Sequence, residues 1–205
     1  MEDARKSLIL NIIGIFPLVM GILAIFNSLK IGSVSQILWI CYFCLILIGM
    51  GILSGNDFLV MSQIYILFIP LIFWDVDFIY HWIFQEPLWG ISDYFFVGNF
   101  DLGKIISLQH LATIPMTIYS LRLMGPKRKD AWKLSVVQII AVYLLTNAFF
   151  PGTNINCISE PCVNFNLGLP YVATWFLAFF TMIFISVLVI NGFFFRKSKF
   201  KERFM

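Results

Sequence analysis

The sequence is poor in charge. Only 12% of its 205 residues are Asp, Glu, Lys or Arg, where a soluble domain carries roughly 25%. That shortage excludes a water-soluble globular fold, and disorder needs the opposite composition. The apolar runs lack the polar–apolar alternation of barrel strands, which excludes a transmembrane β-barrel. Histidine is scarce, with two residues, and there are four cysteines. No phosphate-cradling glycine loop, nucleophile elbow or haem-attachment motif occurs. No internal repeat is visible, so the three-plus-three inverted architecture of many transporters is not legible. The basic residues form short clusters rather than a groove, which excludes nucleic acid as a partner.

Apolar residues are abundant. At 60% of 205 residues they number about 123, close to the ~120 that six helices of ~20 residues require. The expected fold is therefore all-α: one polytopic transmembrane domain over 1–205, with helices at about 8–26, 37–53, 58–79, 105–124, 134–150 and 171–195. Arg5 and Lys6 precede the first run in the manner of a signal peptide. That run is too long for an h-region, and no small-residue cleavage site follows it, so a retained anchor is expected.

Orientation follows from the basic loops. Arg5 and Lys6, then Arg122, Lys127, Arg128, Lys129 and Lys133, then Arg196, Lys197, Lys199, Lys201 and Arg203 fall on one side of a six-helix chain. Lys30, Lys104, Glu86, Asp93, Asp101 and Glu160 fall on the other. Both termini are expected in the cytoplasm, and the protein in the cell membrane as a multi-pass chain. The outer loop 82–103 is rich in aromatic residues and is expected at the lipid headgroup level. The outer loop 149–170, with Pro151, Gly152, Asn154, Asn156, Asn164, Asn166, Gly168 and Pro170, has turn chemistry.

Ionisable groups inside an oily chain are the first place to seek function. Asp75, Asp77, His81, His110 and Asn147 all fall near the outer ends of their helices, although the topology was set from the loops alone. Asp77 and His81 are four apart and share a face, whereas Asp75 points roughly to the opposite side. Ser107, His110, Thr113 and Thr117 form one polar arc, with Gln109 expected to point away. Asp77, His81, His110 and Asn147 are the expected site, and Pro70 and Pro115 are placed to kink their helices beneath it.

Three readings of these groups follow. In one, Asp77, His81 and His110 hold a divalent metal, which activates a water for an outward-facing enzyme acting on a membrane lipid or lipid-linked substrate. In the second they line a path for a small solute, cation or proton. In the third they join helices by hydrogen bonds, in a structural or partner-binding protein. The cysteines add a fourth. Cys41-Tyr42-Phe43-Cys44 lies in the second helix and Cys157 and Cys162 lie in an outer loop. That layout resembles the DsbB and vitamin K epoxide reductase families of membrane thiol oxidases, and the resemblance implies electron transfer between the pairs and to quinone. The plainer expectation is a structural disulfide between Cys157 and Cys162, because the outer side is oxidising. Gly14 and Gly21 share a face of the first helix and Gly51 and Gly55 end the second, which is expected to serve close packing within the chain.

Four short segments, Trp74-Asp75-Val76-Asp77-Phe78, Gly90-Ile91-Ser92-Asp93-Tyr94-Phe95-Phe96, Ser107-Leu108-Gln109-His110 and Thr153-Asn154-Ile155-Asn156, resemble a group of six-helix bacterial and archaeal membrane proteins with no assigned activity. In that group the first segment more often reads Trp-Asn-x-Asp, so Asp75 is this chain's departure. The resemblance implies Asp77, Asp93 and His110 as candidates and adds Asn154 and Asn156 to Asp93 as a rim.

Overall fold

The computed structural model describes residues 2–163 and 167–195. Asn164, Asn166 and the basic tail from Arg196 to Arg203 lie outside the described residues. The described residues are all-α, with no strand. Helix α1 spans Glu2–Lys30. A 3-10 turn at Val34–Leu38 leads into α2, Ile40–Leu53. Helix α3 spans Asp57–Phe84, and the short α4 spans Asp93–Phe96. Helix α5 covers Leu102–Ser107, α6 Gln109–Met124, α7 Trp132–Phe149 and α8 Tyr171–Phe195.

Four of these, α1, α3, α7 and α8, are long and apolar enough to cross a membrane. The second and fourth expected spans do not reach that standard as single helices. The second is shortened because its first turn winds as 3-10 and Trp39 is extended (φ −57°, ψ 123°), leaving 14 residues in α2. The fourth divides at Leu108 into α5 and α6. The loop 82–103 is also corrected at both ends: Trp82, Ile83 and Phe84 continue α3, and Leu102 and Gly103 begin α5.

Local chemistry sets the turns. Gly55, at φ +69°, ends the α2–α3 connection. Asn56 then caps α3 by accepting the Leu59 N–H at 3.1 Å, the usual role of an Asx side chain before a first turn. So short a connection makes α2 and α3 neighbours. Helix α6 stops at Gly125 (φ +70°), whose N–H reaches Leu121 O, with Pro126 following. On that side of the bundle Asp57 accepts the backbone N–H of Lys127 at 2.8 Å.

Helix α3 is the centre. More than half of its most apolar stretch is buried, against about a quarter or less for the other three long helices. It packs on α2, α6, α7 and α8. Along its inner half it is buried all round, from Val60 to Leu67. Ser135 Oγ of α7 donates to Ser62 O at 2.7 Å and Tyr65 OH donates to Asn191 Oδ1 of α8 at 2.6 Å, which fixes the depth of both helices against it. At 1.5 Å per residue α3 is about 42 Å long, more than the ~30 Å hydrocarbon core.

Helices α1 and α2 meet through glycine. A Cβ on Gly49 would lie 2.6 Å from Leu18 Cβ and 2.7 Å from Gly14 O, and one on Gly21 would lie 2.7 Å from Ile46 Cγ1. The two backbones are thus in close approach, the packing mode that small residues permit in lipid. Gly49→Ala must push α1 off α2. It is expected to destabilise by about 1–3 kcal/mol, as overpacking does, whereas Gly192→Ala meets nothing within 4 Å and is expected to leave stability unchanged or raise it. Thermal unfolding of both variants in one detergent is the check.

Candidate outer polar site

The C-terminal end of α3 carries three of the groups singled out by the sequence, Asp75, Asp77 and His81, and each has a distinct fate. Asp77 is fully buried. Its Oδ1 accepts the backbone N–H of Trp89 at 2.6 Å and of Gly90 at 3.2 Å. Its Oδ2 accepts the N–H and the hydroxyl of Ser92, both at 2.7 Å. The segment Gln85–Ser92 therefore folds back over the end of its own helix and wraps the carboxylate. Two backbone features allow the return. Gln85 takes a left-handed conformation (φ 59°) and caps α3 through His81 O, and Gly90 sits at φ +79°, a region that L side chains rarely adopt.

His81 lies one turn beyond Asp77. Its Nδ1 is 3.1 Å from Asp93 Oδ1, and its ring stacks on Phe96 with centroids 3.9 Å apart. Asp93 is thus paired with His81. Trp74 Nε1 donates to Tyr94 OH at 3.1 Å, Tyr94 OH donates to Ser107 Oγ at 3.0 Å, and Ser107 Oγ donates to Gly103 O at 2.9 Å. This chain ties α3, α4 and α5 together. Burial pushes the Tyr94 phenol above its ordinary range, against the opposing effect of its bonds to Ser107 and Trp74, so Tyr94 stays protonated and can both accept and donate. Lys104 is buried, and its Nζ donates to Val97 O at 2.6 Å and Gly98 O at 3.2 Å. The whole of 85–107 is a folded cap rather than a loose loop.

His110 stands beside this chain. Its ring packs against Trp74 with centroids 4.6 Å apart, and its Nδ1 is buried with no hydrogen-bond partner. The expected metal triad is not assembled. Asp77 turns to 89–92 and His81 to Asp93, and among the described residues no three His, Cys, Asp or Glu are grouped to hold a metal ion. A carboxylate already accepting four hydrogen bonds has little left to offer a cation. Pro70 lies inside α3 and Pro115 inside α6, as expected. Gln109 is also corrected. It does not point away from the arc: it is buried, and Thr113 Oγ1 lies 2.5 Å from its Oε1, because residues four apart share a helix face.

The remaining candidates lie elsewhere. Asn147 is exposed, and its Nδ2 donates to Tyr143 O one turn back, so it does not close the site. Asn154 organises its own loop by accepting the N–H groups of Ser159 and Glu160, each at 3.1 Å. Asn156 is buried rather than a rim residue. Its Oδ1 accepts Ile40 N–H at 2.9 Å, its Nδ2 donates to Leu38 O at 2.8 Å, and Trp175 Nε1 donates to its carbonyl at 2.9 Å. It thereby latches the 149–170 loop onto the start of α2 and onto α8, while holding a left-handed backbone (φ 55°). Cys157 and Cys162 form a disulfide, and Tyr171 OH donates to Cys157 O. Cys41 and Cys44 are free thiols within α2.

Asp75 is the residue that sequence reasoning set aside. Among the described residues it has no hydrogen-bond or ion-pair partner, and its Oδ1 is buried. Of its neighbours on the same side of α3, Ile72, Ile79 and Trp82 are exposed, whereas Leu71 and Phe78 are buried, so Asp75 stands at the border of an exposed apolar strip. The signal was present in the sequence: a residue two before Asp77 points away from whatever Asp77 binds. Comparison with family models, with curated proteins and with solved structures finds no match to this chain.

Replacing Asp77 by Ala strands three N–H groups and a hydroxyl. The expected loss is about 2–4 kcal/mol, since bonds to a charged acceptor are worth more than neutral ones. Asp77→Asn keeps one carbonyl oxygen for Trp89 and Gly90 and is expected to cost less. Protease nicking between Gln85 and Ser92 should rise in the order wild type, Asn, Ala. Equal resistance of all three would show that the carboxylate does not hold the cap.

Proposed function

We propose that this is a multi-pass cell-membrane protein that crosses six times with both termini in the cytoplasm, and that it binds an outer-leaflet lipid or lipid-linked molecule through a cationic group. Four apolar helices support the membrane assignment. The remaining two passes are the 3-10 turn with α2, and α5 with α6. The latter pair covers Leu102–Met124, about 34 Å at 1.5 Å per residue, enough for the hydrocarbon core. The inner–outer assignment rests on the cluster Lys127, Arg128, Lys129 and Lys133 beside the α6–α7 connection.

One observation carries the ligand reading: an unpartnered, half-exposed carboxylate, Asp75, at the border between the exposed apolar strip of Ile72, Ile79 and Trp82 and the buried Leu71 and Phe78. Acyl chains offer it no donor, so such a group is costly unless a guest or partner pairs with it. Asp75 lies about 27 Å along α3 from Asp57 at 1.5 Å per residue, near the outer edge of a ~30 Å core. An ammonium headgroup in the outer leaflet reaches that depth, and exposed Trp82 above it suits the interface. The reading is one of binding, not of metal-assisted catalysis, and Asp77, His81 and His110 serve to build the cap beside it.

Native mass spectrometry of the protein in mixed phosphatidylethanolamine and phosphatidylglycerol tests this. Wild type is expected to retain the amine lipid in preference, Asp75→Asn to retain it about tenfold less, as loss of about 1.4 kcal/mol implies, and Asp75→Glu to fall between. Equal retention by wild type and Asp75→Asn would overturn the ligand reading. The topology is tested separately with impermeant thiol reagents on intact cells: Phe100→Cys should be labelled from outside and Lys129→Cys should not.

A further inference from the structure

Helix α1 contains Pro17, which has no N–H to give the carbonyl of Ile13 one turn before it. Pro17 and Ile13 line a partly open pocket of about 10 Å³ between α1, α2 and α6, walled by Phe16, Ile48, Ile52 and Met116 and reached by Thr113 and Thr117. That is roughly the smallest space that admits one water molecule. Thr117 is 1% exposed, yet its hydroxyl has no hydrogen-bond partner among the described residues. Its neighbours on α6 behave differently. Thr113 Oγ1 donates back to Gln109 O at 2.8 Å and Ser120 Oγ to Met116 O at 2.9 Å. Thr117 instead lines the pocket.

We propose that this pocket is a binding site for a single water molecule that bridges the Ile13 carbonyl of α1, left without its helical donor by Pro17, to α6. The hydrogen-bond inventory closes around it. Thr117 O–H donates to the water oxygen. The water donates one hydrogen to the carbonyl of Ile13 and the other to Thr113 Oγ1, whose own hydrogen is engaged by Gln109. Two groups that hydrocarbon cannot satisfy, the Ile13 carbonyl and the Thr117 hydroxyl, are thereby satisfied at once, and with Thr113 Oγ1 they make three partners, within the two to four a buried water takes. The site is independent of the ligand reading at Asp75, since it lies on other helices and involves none of the same groups.

The test is a thermal-unfolding cycle in detergent, with an experimental structure fine enough to resolve waters. Thr117→Val is expected to lower the melting temperature of the otherwise wild-type chain by about 2–4 °C, and Thr117→Ser to restore it. In a Pro17→Ala background Ile13 regains its helical donor, so the same Thr117→Val change should lower the melting temperature by clearly less. An equal loss in both backgrounds would overturn the bridge. A structure with ordered surroundings and no density within hydrogen-bond distance of both Thr117 Oγ1 and the Ile13 carbonyl would overturn it without reference to either variant, and density at that point would support it.

Discussion

Four donors converge on one carboxylate at the C-terminal end of α3, and the cap over that end is assembled from the convergence. Asp77 turns Gln85–Ser92 back over the helix. This return delivers Asp93 to His81 and Tyr94 to Trp74. Tyr94 then reaches Ser107, at the junction where α5 gives way to α6. A buried carboxylate is stable only where donors replace water. Here the donors come from the backbone of the very segment being positioned, so the desolvation cost of the acid and the ordering of the cap are settled by the same bonds.

Two residues along the same helix, an identical side chain meets the opposite circumstance. Asp75 is rotated about 200° from Asp77 at 100° per residue and faces away from the cap. The pair forms a comparison within one helix: same chemistry, similar depth, different company. The saturated acid is architecture, and the unsaturated one is where a guest has something to gain. His110, with its buried Nδ1 beside Trp74, sits between these extremes, because an aromatic face covers it without pairing it.

The membrane-helical character was legible because composition and run length decide it. The start of α8 was readable to the residue, since Pro170 sits just before Tyr171. The breaks in the second and fourth runs were not readable. They fall at Trp39, whose backbone is extended, and at Leu108, and hydropathy is blind to winding. The polar residues were found by type and depth, but their partners were not. Asp77 is satisfied by backbone N–H groups, which every sequence possesses and none advertises. Asn156 presents the same difficulty: a loop Asn resembles turn chemistry, and only its bonds to Leu38 and Ile40 reveal a latch. Gln109 was misjudged by angle alone, where counting four residues to Thr113 would have placed it correctly.

The length of α3 bears on where such a protein rests comfortably. A central rod of about 42 Å exceeds the fatty interior of an average bilayer, and it cannot shorten, because its top is clasped by the cap and its foot by the bond from Lys127 to Asp57. With Asp75 about 27 Å from Asp57, the turns beyond it, which carry His81 and the exposed Trp82, project out of a ~30 Å core. The cap is thereby held clear of the acyl chains, and the thickness of the host bilayer decides how much of it reaches water.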